Sequence, residues 1–117
     1  IVESHHNKKK DNPSGTANMI FDGVNRGRDG KLFKKMRDFS HDDRRDPNEV
    51  GISSVRAGTI VGEHRLILAG LDEIIEIKHQ AASKKIFANG ALKAASFLIG
   101  KKPGRYDFKD VIRGDND

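Results

Sequence analysis

The sequence contains no cysteine and no tryptophan, and only one tyrosine and three prolines, in 117 residues. Without cysteine, disulfide frameworks, thiolate zinc sites and cysteine nucleophiles are excluded. The scarcity of tyrosine and tryptophan leaves few large rings for stacking on bases. The longest nearly unbroken apolar run, residues 66–69 continued by Gly70 and Leu71, is far short of the roughly 20 residues of a membrane span. No apolar stretch at the N-terminus resembles a secretory signal. The expectation is a cytoplasmic protein that contacts neither membrane nor nucleic acid.

What is present is charge. Lys and Arg number 22 against 17 Asp and Glu, for a net charge of +5 and a pI near 9.6. The basic residues are dispersed (Lys8-Lys9-Lys10, Lys34-Lys35, Arg44-Arg45, Lys84-Lys85, Lys101-Lys102), with Asp38, Asp42, Asp43 and Asp46 among the middle groups. Such a surface suits a small acidic ligand or plain solvation better than a nucleic-acid stripe. The length fits one modest domain and is too short for a nucleotide-binding domain plus a catalytic one. The chain opens Ile1-Val2-Glu3, without Met, in what reads as a strand, so a fragment of something longer is expected.

Residues 1–5 read as a strand. Pro13 and Ser14 then signal a helix start, Ser14 as N-cap, with Ala17, Ile20, Phe21 and Val24 on one face of a helix reaching about Asn25. Residues 37–50 are densely charged and read as a long exposed, mobile loop. Strands are expected over 52–57, 63–69 and 74–79, with a hairpin turn at Gly70-Leu71-Asp72. Ser83 is expected to cap a second helix carrying Phe87, Ala91, Ala94, Ala95 and Leu98, which Gly100 ends. Gly90 within it costs roughly 1 kcal/mol relative to Ala, which suggests close packing there. A short turn over 107–112 and a polar tail from Arg113 complete the chain. The predicted class is α+β: a mixed, mostly antiparallel sheet of about four strands covered on one face by two helices.

Residues 3–17 carry the chemistry. His5 and His6 are adjacent at a strand end and point to opposite sides. Lys9 and its neighbours add ammonium groups in the loop that follows. That loop enters a helix whose first N–H groups, from Gly15, Thr16 and Ala17, lack intrahelical partners and sit at the positive end of the helix dipole. Gly15 allows close approach to the backbone, and Thr16 adds a hydroxyl. Together these groups can bind a carboxylate or phosphate and protonate an atom beside it. Read without further help, the same features also fit a surface His pair, a simple helix cap and solvated lysines. No metal set is expected, since His41, His64 and His79 are scattered in sequence.

The pattern Glu3-x-His5-x-x-x-Lys9-x-Asp11-x-Pro13-Ser14-Gly15-Thr16-Ala17 resembles the signature of 4-hydroxy-tetrahydrodipicolinate (dihydrodipicolinate) reductases. Residues 55–64 (Val-Arg-Ala-Gly-Thr-Ile-Val-Gly-Glu-His), 75–79, 87–92 and 103–107 resemble further stretches of that family, and the likeness is loosest over 25–50. The resemblance implies NADPH- or NADH-dependent reduction of a cyclic dicarboxylate in diaminopimelate and lysine biosynthesis, by a homotetramer assembled through the sheet of its C-terminal domain. It implies that residues 1–117 are that substrate-binding and tetramerisation domain, without the N-terminal Rossmann domain that holds the nicotinamide. It makes His5 the catalytic proton donor and acceptor and Lys9 its partnering acid. His6, Ser14, Gly15, Thr16 and Lys84 become substrate contacts. Lys84 stands where an arginine is expected, keeping the charge but lacking the bidentate fork. The alternatives are a non-catalytic oligomerisation module or an anion-binding module on the same fold.

Overall fold

The computed structural model describes residues 1–114. They form two compact units, one over Ile1–Ala82 and one from Ser83 onward.

The first unit contains strands β1 (Val2–His5), β2 (Phe33–Lys35), β3 (Glu49–Gly51), β4 (Ser53–Arg56), β5 (Gly62–Ala69) and β6 (Ile74–Ala81), and helix α1 (Gly15–Arg26). A four-stranded sheet has the order β4-β1-β5-β6. The β1–β4 pair is parallel, and β1–β5 and β5–β6 are antiparallel, so the sheet is mixed and mostly antiparallel as the sequence indicates. The β5–β6 hairpin closes at the expected turn, where the Gly70 N–H donates to the Glu73 carbonyl at 2.8 Å.

Helix α1 starts where Ser14 predicts. The Ser14 backbone is extended and its hydroxyl accepts the Ala17 N–H. Its buried residues Ala17 and Phe21 meet Ile1, Ile52 and the partly buried Leu66. Ile1, Glu3 and His5 alternate with Val2 and Ser4, so they share one side of β1. The pairings Glu3↔Ser54, His5↔Arg56 and Glu3↔His64 put further polar residues on that side. The sheet face beneath α1 is therefore apolar under the helix body and polar under its N-terminus.

The segment 37–50 is not wholly an exposed loop: its last residues form β3, paired in parallel with β2. The Arg37 guanidinium holds the Glu49 carboxylate through Nε–Oε1 at 2.6 Å and Nη2–Oε2 at 2.7 Å, and the Glu49 side chain is only 2 % exposed. Residues 42–48 are exposed as expected, but Arg37, Asp43, Arg45 and Glu49 pair with one another and pin the loop's ends together.

In the second unit, α2 (Lys85–Leu98) and α3 (Phe108–Arg113) pack on each other. Ser83 accepts the Lys85 N–H at 2.9 Å, while Lys84 is the backbone cap. Gly100 ends the helix in the left-handed region at φ 78°. A Cβ at Gly90 would meet the Phe108 ring at 3.7 Å, an ordinary contact, so packing does not demand glycine there. The segment expected to be a turn is helix α3, nucleated by a capping box in which Asp107 takes the Asp110 N–H and the Asp110 side chain takes the Asp107 N–H. Arg113 belongs to that helix, and Gly114 follows it at φ 65°. The rest of the expected polar tail, residues 115–117, lies outside the described residues.

Candidate functional site

The site is built on β1 and the loop that joins it to α1. Glu3 is fully buried. Its carboxylate accepts a fork from Arg56, Nη2–Oε1 at 2.7 Å and Nη1–Oε2 at 2.8 Å, and the Ser14 N–H at 3.1 Å. Burial pushes the carboxyl pKa up, but the Arg56 fork, followed by the nearby Ser54 hydroxyl, His5 and the Ser14 N–H, more than reverses this and holds it at about 2. Arg56 also donates from Nη2 to the Asp11 carbonyl at 2.7 Å, tying the loop to β4.

His5 Nδ1 lies 2.6 Å from Glu3 Oε2, with the imidazole 12 % exposed. The strand alternation that places the two on one side is i, i+2. The far edge of the ring faces Gly62, where a Cβ would come within 3.2 Å of Nε2. His64 stacks edge-on against His5, ring centroids 5.1 Å apart, and its Nε2 lies 2.9 Å from the Ser14 hydroxyl. Burial, followed by the nearby His5, lowers the His64 pKa, so the neutral ring is favoured.

Lys9 Nζ pairs with Asp11 at 2.8 Å and keeps partial exposure. The loop is fastened at its start by the Asn7 N–H on the Gly58 carbonyl at 3.1 Å. Gly58 adopts φ 47°, a turn that glycine makes without strain. Gly15 and Thr16 are exposed at the helix N-terminus, and a Cβ at Gly15 would meet nothing within 4 Å. Their N–H groups have no intrahelical acceptor.

The structure thus brings His5, Lys9, Ser14, Gly15 and Thr16 onto one strand–loop–helix element. Ser14 is 2 % exposed, its hydroxyl engaged by Ala17 and His64, so it holds the helix start and the imidazole from within. His6 follows β1 and is partly buried. Lys84 lies exposed at the start of α2, in the second unit. Glu3, Arg56 and His64 join the site without being among the residues that the sequence singles out for a role. A glutamate two residues before a histidine in a strand is the one local signal, because the two must share a face. Arg56 and His64 join through strand pairing, which local sequence does not display.

Glu3, His5 and His64 could together offer three metal-ligand atoms within 4.8 Å of one another. The Glu3 oxygens already accept the Arg56 guanidinium, whose positive charge disfavours a cation there. Residues 6–14 carry three lysines and a proline where a dinucleotide loop has spaced glycines. That loop does not fit a nicotinamide dinucleotide. Among the described residues no helix is long and apolar enough to cross a membrane.

A family model described as "Dihydrodipicolinate reductase, C-terminus" matches residues 1–112. Among curated proteins, the 4-hydroxy-tetrahydrodipicolinate reductase of Brachyspira hyodysenteriae is 52% identical over 113 residues, covering 96% of this chain and 48% of that protein. The enzyme of the same name from Caldanaerobacter subterraneus is 52% identical over 97% of this chain and 45% of its own length. The chain therefore spans about half the length of these relatives. The fold is similar to that of a dipicolinate-bound dihydrodipicolinate reductase from Paenisporosarcina sp. TG-14, with TM-score 0.69 and 19% identity over 93% of this chain and 42% of that one.

Proposed function

Because the chain belongs to the dihydrodipicolinate reductase C-terminal family, we propose that it is the substrate-binding and catalytic part of a 4-hydroxy-tetrahydrodipicolinate reductase, acting in diaminopimelate and lysine biosynthesis. One observation carries the reading. An imidazole, an ammonium group and an open helix N-terminus follow one another along a single strand–loop–helix element, above a sheet face that fixes the imidazole by two neighbours.

A cyclic dicarboxylate places one carboxylate on the Gly15 and Thr16 N–H groups, where the helix dipole and the Thr16 hydroxyl favour negative charge. Lys9 supplies further positive charge; Lys84, a point charge rather than a fork, stays a substrate contact on the family resemblance alone. His6 contacts the ring, and Ser14 acts by holding this cradle in place. His5 delivers the proton, with Lys9 as its partnering acid. The hydride comes from NADPH or NADH, held chiefly by a separate N-terminal nucleotide-binding domain, and this chain orients the acceptor carbon. The apolar residues Ile74, Ile75 and Ile77 of β6 are 52 to 68 % exposed, and Ile67 and Leu68 of β5 are also uncovered. Rows of this kind suit burial between copies of the sheet, which supports the homotetramer; the cytoplasm is proposed as its location on the family resemblance alone.

The test is a calorimetric titration of the chain with pyridine-2,6-dicarboxylate, a planar mimic of the substrate ring. Saturable binding that Lys9→Ala abolishes is expected. Binding that survives Lys9→Ala unchanged, or no binding, overturns a dicarboxylate site on this element.

A further inference from the structure

We infer that Glu3, clamped by Arg56, is a positioning residue that fixes the His5 tautomer, so that Nδ1 carries hydrogen toward the buried carboxylate and Nε2 is the atom that exchanges the proton with substrate. This deepens the proposed function and rests on His5 being the proton donor.

The assignment follows from counting donors around one carboxylate. Oε1 accepts from Arg56 Nη2 and the Ser14 N–H, and Oε2 accepts from Arg56 Nη1. Three donors converge on a carboxylate buried with its guanidinium, so Glu3 is an acceptor throughout. The 2.6 Å contact with His5 Nδ1 therefore requires the hydrogen to sit on the imidazole. That leaves the other ring nitrogen unprotonated in the neutral form. It faces Gly62, where a Cβ would come within 3.2 Å, so glycine keeps that side of the ring uncrowded. His64 packs edge-on against the ring, centroids 5.1 Å apart, a contact that favours the orientation seen.

Glutamine at position 3 has a preferred response. At the Oε1 position its NH2 group would face two donors, Arg56 Nη2 and the Ser14 N–H, and at the Oε2 position only one, Arg56 Nη1. The Oε2 placement is therefore favoured, and there the NH2 donates to His5 Nδ1, which moves the imidazole hydrogen to Nε2 and removes the free lone pair. In the triad case, loss of the orienting carboxylate acts through the same wrong tautomer.

The test is a long-range 15N–1H correlation spectrum of the chain with its histidines neutral. Wild type is expected to show His5 as the Nδ1–H tautomer, and Glu3→Gln to show it as Nε2–H. A wild-type His5 in the Nε2–H form, or a folded Glu3→Gln that keeps Nδ1–H, overturns the inference. If Glu3→Gln does not fold, Arg56→Lys keeps the charge but loosens the carboxylate. A mixture of tautomers is then expected, and a pure Nδ1–H form removes Arg56 from the arrangement. In the two-domain enzyme, Glu3→Gln should lower kcat about 100-fold or more with little change in KM. The two levels separate cleanly: retained turnover in His5→Ala would remove the proton-donor reading, whereas the tautomer result stands or falls without it.

Discussion

Two arginine–glutamate forks stand in the first unit. Arg56 grips Glu3 and Arg37 grips Glu49, each through two hydrogen bonds of 2.6 to 2.8 Å. Both carboxyls are held at about 2, the arginine being the main lowering influence in each case. The pairs differ in what else the carboxylate touches. Around Glu49 the additional partner is Arg45, and Arg37 reaches on to Asp43, so that fork stitches a charged loop to β3. Around Glu3 the additional partners are the His5 ring and the Ser14 N–H. The same ion pair is a clasp in one place and, in the other, the partner of a largely buried imidazole that the proposed function makes the proton donor. A bidentate pair by itself does not mark a site; the imidazole and the helix N-terminus beside it do.

Removing the arginine tests this contrast at its strongest. Arg56→Met leaves a buried carboxylate without its main partner and should destabilise the chain by about 3 kcal/mol or more, read from a shift in the urea unfolding midpoint. A shift no larger than that of a surface substitution would contradict the importance assigned to the pair.

Acid should act on the Glu3 clamp in the same sense. The folded carboxyl, at about 2, lies below its ordinary 4.5. Between these values the unfolded chain binds the proton and the folded chain does not. Stability is therefore complete above pH 4.5 and lost as pH falls toward 2, by about 3 kcal/mol from this one group. Glu3→Gln should flatten much of that loss in an acid unfolding series. His64, lowered below 6.5 by burial, adds a loss in the same direction beginning near that pH.

Ser14→Ala should cost about 1 kcal/mol through the lost cap on Ala17 and release His64, visible as a lower thermal midpoint and a changed His64 resonance. The smallest effect at the site belongs to Arg37→Met. It should speed amide exchange around residues 36–49 while leaving pyridine-2,6-dicarboxylate affinity within about twofold, since its coupling to distant groups is weak. A large loss of affinity in that variant would erase the distinction between the forks.

These contrasts also explain what could be read from the chain alone. The Ser14 cap, the α1 stripe, the β5–β6 hairpin and Gly100 depend on neighbours a few residues apart, and their signals are local. The charged segment 37–50 misled because pairing between Arg37 and Glu49 spans 12 residues, and composition cannot distinguish a paired charge from a solvated one. Helix α3 went unread because its capping box occupies only Asp107 and Asp110, at the head of a six-residue helix. At the site, His5, Lys9, Gly15 and Thr16 lie within one stretch and carry a recognisable spacing. Arg56 and His64 reach it through β1–β4 and β1–β5 register, 53 residues from Glu3 in the first case. That register becomes visible only with the strands paired.

The most direct measurement is the turnover of the proposed full-length reductase carrying His5→Ala, with Arg37→Met as the comparison. His5→Ala should lower kcat by about 10²–10⁴, the range of a lost general acid–base group, while Arg37→Met stays close to wild type. Near-normal turnover in His5→Ala would contradict this, because the imidazole oriented by Glu3 would then not be the group that delivers the proton.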